Sequence, residues 1–201
     1  ARSRAVQVLG RIRDSRVTEM LLLALKDKNG YVRREAVTAL GTFGNLQSVD
    51  ALIGVLAEEE PTEFSKETGN WIRREVIEAL GKIKGPKAIS FIITELGSPN
   101  QYIKDTAAGA LKNLGSEAVQ QLILALGDLD KDVREEAGNV LVSMSELSFE
   151  PLLQALQADN LRVKIETAWL LGKVANVKAK EQLLKASKDA NKELQITANK
   201  A

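Results

Sequence analysis

Carboxylates and cations are the side chains of this chain with most scope for chemistry, because it contains no histidine and no cysteine. Without histidine the commonest general base and metal ligand is missing. Without cysteine there is no thiolate nucleophile, disulfide or thiolate-held metal. No phosphate-cradling glycine loop or metal-ligand spacing is present either. The charged residues fall instead into columns. One column holds Glu19, Asp50, Ser90, Gln120, Glu150 and Glu181; another holds Arg33, Arg73, Lys104, Arg134 and Lys164. A row of cations invites a phosphate-binding reading. However, Glu35, Glu75, Glu136 and Glu166 follow two positions on, and Asp27, Asp128 and Asp159 stand in the preceding turns. The cation column therefore reads as a structural ladder paired with those acids. The acidic column reads either as an ordinary solvated helix face or as a surface that attracts basic segments and repels a phosphate backbone. No carboxylate sits in a sequence context that would raise its pKa, so no acid–base role and no catalytic residue are assigned.

Four further features are candidates for contact with a partner. A mostly small and apolar row, Leu23-Ala24, Gly54-Val55, Leu124-Ala125 and Gln154-Ala155, runs beside the acidic column and would make a docking strip if exposed. Tyr31, Trp71 and Tyr102 form an aromatic column, read as packing onto the preceding layer. Trp169 stands where Thr38, Glu78, Gly109 and Asn139 stand elsewhere, which implies an exposed face. It is either a contact residue or the partner of further C-terminal sequence. Lastly, residues 58–70 interrupt the register with an acidic tract that includes Glu59, Glu60, Glu63 and Phe64. They are expected to form a loop, and recognition often resides in loops.

These columns exist because the chain repeats. Leu9, Leu40, Leu80, Leu111, Leu141 and Leu171 recur at intervals of 31, 40, 31, 30 and 30 residues, and the long interval holds the insertion. Eight residues before the last five stand Val32, Ile72, Ile103, Val133 and Val163; three residues after all six stand Ile12, Phe43, Ile83, Leu114, Met144 and Val174. Those offsets share one face of a 3.6-residue helix, the first helix of each repeat. The second helix carries Leu21-Leu22, Leu52-Ile53, Ile92-Ile93, Leu122-Ile123, Leu152-Leu153 and Leu183-Leu184. Gly44-Asn45, Gly85-Pro86 and Gly115-Ser116 supply turns between the two. A short amphipathic helix pair cannot bury its apolar face alone, so successive pairs must stack. The aliphatic composition, 44% hydrophobic but 4% aromatic, suits such close helix–helix contact.

The segment Tyr31-Val32-Arg33-Arg34-Glu35-Ala36-Val37-Thr38-Ala39-Leu40-Gly41, echoed by Asp132-Val133-Arg134-Glu135-Glu136-Ala137, resembles the first helix of HEAT-like repeats of the short phycobilisome-lyase type. Val76 and Thr167 depart from its alanine position. The resemblance implies a right-handed α-solenoid of about six stacked antiparallel helix pairs, with the second helices on the concave side. Repeats are expected at 1–27, 28–70 with the 58–70 insertion, 71–99, 100–128, 129–159 and 160–189, with a truncated one at 190–201. Ala1-Arg2 and Leu194-Gln195 align with repeat starts, so more repeats or disordered segments are expected beyond both ends.

With 28 basic and 27 acidic residues the net charge is +1, which argues against a nucleic-acid partner. No apolar run is long enough for a membrane span. Lack of cysteine suits the cytoplasm. The expected class is a scaffold or adaptor that needs no cofactor. It would bind another protein, through a basic segment, using Glu19, Asp50, Gln120, Glu150, Glu181, the 58–70 insertion and Trp169. The resemblance implies one alternative, a phycobilin lyase-like or phycobilisome-associated protein that binds a tetrapyrrole and its carrier; a third class, HEAT-like DNA-repair enzymes, needs a basic groove, and the acidic second-helix column argues against it.

Overall fold

The computed structural model describes every residue except Arg13, 57–62, 175–176 and 189–190, and only the backbone of Ser15, 63–69 and 177–178. Every described element is helical. In chain order they are α1 (Arg2–Leu9), α2 (Ser15–Ala24), α3 (Gly30–Phe43), α4 (Val49–Gly54), α5 (Glu63–Ile83), α6 (Pro86–Thr94), α7 (Gln101–Leu114), α8 (Ser116–Ala125), α9 (Lys131–Ser143), α10 (Ser145–Ala155), α11 (Leu161–Val174), α12 (Val177–Ala186) and α13 (Lys192–Lys200). They alternate as first and second members of stacked antiparallel pairs, the plan of an all-α solenoid. The chain forms two compact units, Ala1–Ile92 with Asn100–Ala110, and Ile93–Pro99 with Leu111–Ala201.

In the first unit Leu40, Leu80, Leu21, Leu52 and Ile92 are fully buried; in the second, Leu111, Leu141, Leu171, Leu122 and Leu152 are. Each contributes about 1.5–3 kcal/mol by leaving water. The second members of the second-helix pairs are less consistent. Ile93 and Ile123 are buried, Leu22, Ile53 and Leu153 are half-buried, and Leu184 is exposed. Consecutive residues point about 100° apart on a helix, so only the first member faces the seam squarely.

Small residues set how closely the first helices approach. A Cβ on Gly10 would stand 2.8 Å from that of Ala39, and one on Gly81 would stand 3.3 Å from that of Ala110. In the second unit Leu170 occupies the alanine position, and Gly138, one turn before Leu141, makes room: a Cβ there would lie 3.1 Å from Leu170 Cδ2. Size is exchanged between facing helices, so the interface stays filled.

Asparagine and aspartate start the first helices. Asn29 Oδ1 accepts from Tyr31 N at 2.9 Å, Asn100 from Tyr102 N at 2.9 Å, Asp130 from Asp132 N at 2.8 Å, Asn160 from Arg162 N at 3.0 Å and Asn191 from Glu193 N at 3.0 Å. Each satisfies an orphan amide of the first turn. The corresponding residue of the third repeat is Gly69, which has no side chain to cap with. There the helix runs on upstream to Glu63. The 58–70 insertion is therefore not a loop throughout: from residue 63 it lengthens α5. At the other end of α3, Gly44 closes the helix at φ 68°, a left-handed conformation that glycine adopts without a Cβ penalty.

Candidate partner-binding surfaces

Two members of the cation column, Arg33 and Arg134, are held near helix ends. Arg33 Nη1 donates to the Asp27 carbonyl at 2.9 Å; Arg134 Nη1 donates to the carbonyls of Asp128 and Leu129 at 2.9 and 3.0 Å. These acceptors are main-chain oxygens just beyond a second helix, where the sequence suggests the turn carboxylates. Carbonyls at a helix C-terminus lack partners and carry the negative end of the dipole, so a guanidinium is their natural complement. The turn carboxylates have other work. Asp27 Oδ1 accepts from Asn29 N, and Asp128 Oδ1 from Asp130 N, both at 2.8 Å. The Asn29 amide, with the Arg2 guanidinium at 2.8 Å, holds the Asp27 carboxyl below its ordinary pKa. Hydrogen bonds from Arg16, which raise that guanidinium's own pKa, likewise lower Asp14. Two of the glutamates that stand two positions on, Glu75 and Glu166, join neighbouring repeats. Arg34 Nε lies 3.7 Å from Glu75, which also accepts from Thr38 Oγ1 at 3.1 Å, and Arg134 Nε lies 3.8 Å from Glu166.

The second-helix column is a surface feature. Glu19 on α2, Asp50 on α4 and Ser90 on α6 are exposed in the first unit; Gln120 on α8, Glu150 on α10 and Glu181 on α12 are exposed in the second. Asp50 is paired with Lys87 of α6, so its charge is offset locally. The expected apolar strip is split down the middle. Leu23, Gly54, Leu124 and Gln154 are exposed, whereas Val55, Ala125 and Ala155 are buried and Ala24 is half-buried. Neighbouring residues point about 100° apart on a helix, and here the edge of the buried face falls between them.

Tyr31 and Trp71 meet edge to face with ring centroids 5.6 Å apart, and the Arg34 guanidinium lies 4.3 Å above the indole. Trp71 thus packs on the preceding repeat. Tyr102, the third aromatic, is 76% exposed. Trp169 is 44% exposed, with the Lys173 ammonium 3.5 Å over its ring, and lines a cleft with α13. Glu59 and Glu60 lie outside the described residues, as do the side chains of Glu63 and Phe64; the backbone of the latter two begins α5. A second cleft, of about 680 Å³, is lined by Arg11, Asp14, Thr18, Thr42, Phe43 and Asn45. Its Asp14 and Asn45 already cap helices. Among the described residues no three carboxylates gather as a metal site would require, and no helix is long and apolar enough to cross a membrane.

Residues 1–67 match the family model of HEAT repeats, and residues 72–97 match that of PBS lyase HEAT-like repeats. The chain is built of HEAT-like repeats. A curated relative, phycocyanobilin lyase subunit alpha of Picosynechococcus sp., is 36% identical over 69 residues, 34% of this chain and 25% of that protein. The match spans a quarter of the relative's length. Among solved structures, the CpcE–CpcF complex of phycocyanin lyase from a Nostoc species is 20% identical with a TM-score of 0.46, covering 99% of this chain and 80% of that one. A HEAT-like repeats protein of Thermococcus onnurineus is 17% identical with a TM-score of 0.42, covering 98% and 89%.

Two features of these HEAT-like repeats escaped sequence reasoning although a signal was there. Glycine directly after the recurrent leucine and alanine directly before it mark the close helix approach. Lysine four residues after Trp169 marks the stacked ammonium, since residues four apart share a helix face.

Proposed function

We propose that this HEAT-like array is a protein-interaction scaffold whose second-helix surface receives a basic segment of another protein. One observation carries the reading: the acidic residues at a single second-helix position are all exposed, while Arg33 and Arg134 of the first helices are tied to main-chain carbonyls. The same helices also carry exposed Arg16, Lys87, Lys180 and Lys185, so the negative surface is confined to that one position. An acidic second-helix row would raise the encounter rate of a basic chain and fix its register more than it would add raw affinity. The helical extension that starts at Glu63, with Phe64 beside it, would add specificity, and Trp169 an apolar contact. The test is titration of a fluorescent Lys/Arg-rich peptide by anisotropy at rising salt. Binding should weaken steadily with salt and drop several-fold when Glu19, Glu150 and Glu181 are changed together to lysine. Unchanged affinity in that variant would remove the second-helix surface from the proposal.

A second reading, a phycobilin lyase-like role, is favoured by the match of residues 72–97 to PBS lyase HEAT-like repeats. It requires the chain to bind a bilin and its carrier protein. Mixing the protein with phycocyanobilin should then shift the pigment's visible absorbance; an unaltered spectrum at micromolar protein would count against it.

A further inference from the structure

In the first unit a cleft of about 680 Å³ opens between the α1–α2 pair and the end of α3, a volume in the range of small-molecule sites. Repeats stack in one dimension, so any layer ahead of α1 would pack on the far side of α1 and α2 from this cleft. Two of its lining residues depart from what their repeat positions otherwise hold. Thr18 stands three residues before the core leucine of α2, where Val49, Ile89, Val119 and Phe149 stand in the next four repeats. Phe43 is the one aromatic in a column otherwise made of Ile12, Ile83, Leu114, Met144 and Val174. A hydroxyl thus replaces apolar groups, and a ring replaces aliphatic ones, at the same place.

Thr18 is 8% exposed and lines the cleft, yet its hydroxyl has no hydrogen-bond partner among the described residues. A polar group so deeply placed calls for a partner, and the cleft is where one can reach it. The other polar groups of the wall are divided. Thr42 Oγ1 donates to the Thr38 carbonyl at 2.9 Å, and Asn45 Oδ1 accepts from Gln47 N at 2.9 Å, which leaves the Asn45 amide nitrogen as a donor. Asp14 is covered by Arg16, whose Nη2 lies 2.6 Å from Oδ2, so its charge is already balanced. Arg11 is exposed and makes no ion pair among the described residues, and Gly10 completes the wall with backbone alone. What stays open to a ligand is three donors and one ring.

We propose that this cleft binds a small aromatic carboxylate, which lays its ring on Phe43 and turns its carboxylate to the Thr18 hydroxyl, the Asn45 amide and the Arg11 guanidinium. Hydrogen bonds to an ionised acceptor are the stronger class, and the ring adds the apolar contact that a bare anion lacks. None of the second-helix positions assigned to the scaffold takes part, so the two readings stand or fall separately.

The test uses the whole chain, with benzoate as the probe and benzyl alcohol as its neutral counterpart. In a proton–nitrogen correlation spectrum the backbone amides of Thr18, Phe43 and Asn45 should move and saturate, with a Kd of about 5 mM or below. Benzyl alcohol should bind at least about threefold more weakly. Thr18→Val installs the residue of the second and fourth repeats, so it should keep the parent's circular dichroism and melt no earlier, while weakening benzoate about two- to tenfold. Phe43→Leu, the residue of the fourth repeat, and Arg11→Gln should weaken it by similar factors, and they decide the matter should Thr18→Val lose its helical signal. The proposal is overturned if the three amides do not respond, if shifts spread evenly over both units, if the alcohol binds as tightly as benzoate, or if the folded variants bind like the parent.

Discussion

Gly41 lies so close to the neighbouring first helix that a Cβ placed on it would stand 2.6 Å from the Cα of Ala79. The two residues stand in successive repeats, Gly41 directly after the recurrent leucine of its own and Ala79 directly before that of the next. Backbone cannot yield as the tip of a long side chain can, so this contact sets the spacing of α3 and α5.

Replacing Gly41 with alanine should therefore destabilise the protein by about 1–3 kcal/mol, although alanine is the better helix former. Gly109, which has nothing within 4 Å of a built Cβ, is the control. Gly109→Ala should be stabilising by about 0.5–1 kcal/mol, since only the helix-propensity effect remains there. Urea unfolding of both variants checks the sign: a neutral Gly41→Ala would show that the helices separate without cost.

Loss of an asparagine cap should be felt in proportion to the amide left unpaired. Asn29→Ala should cost about 1 kcal/mol and Asn29→Asp should be close to neutral, because the carboxylate accepts from Tyr31 N in the same way. Thermal melts followed at 222 nm discriminate the two.

Arg134 donates two hydrogen bonds to carbonyls at the end of the preceding second helix, and Arg162 shares one of those acceptors, the Asp128 oxygen. Arg134→Met keeps the stem and removes the donors, and should cost about 1–2 kcal/mol. Arg162→Met, at a more exposed site, should cost less. Equal losses in denaturant unfolding would contradict the ladder as described.

Acid should weaken the turn at Asp27 in a definite window. Its folded-state pKa is lowered, first by the Asn29 amide and then by Arg2, so the folded state holds the proton less tightly than the unfolded chain. The stabilisation is fully present above the ordinary carboxylate range, and is lost as pH falls from the unfolded value through the lowered folded one. Carbon-detected titration should place the Asp27 midpoint below that of an aspartate in an unfolded peptide. Asp27→Asn should flatten the acid limb of stability by lowering the neutral-pH melt towards that at acid pH, where the two proteins converge.

The helices were legible because burial imposes a period. Leu40, Leu80, Leu111, Leu141 and Leu171 are where the 3.6-residue pattern locates the seam, and all five are fully buried. The start of α5 was readable in principle from Gly69 standing at the cap position. It was missed because an insertion between turns suggests a loop unless the missing cap is noticed. The acceptors of Arg33 and Arg134 could not be read at all. A sequence lists the carboxylates near an arginine, but not the carbonyls freed where a helix ends.

By itself the order of residues determined which segments coil and which stripe of each turns inward, since side-chain chemistry and helical period act within a few residues of one another. Only tertiary structure decided what the remaining surface offers: that Val55 and Ala125 are covered while Leu23 and Leu124 are not, and that Trp169 meets α13 across a cleft. Those outcomes depend on how far apart neighbouring helices stand, a distance settled by pairs such as Gly41 and Ala79 that lie 38 residues apart in the chain and touch only after folding.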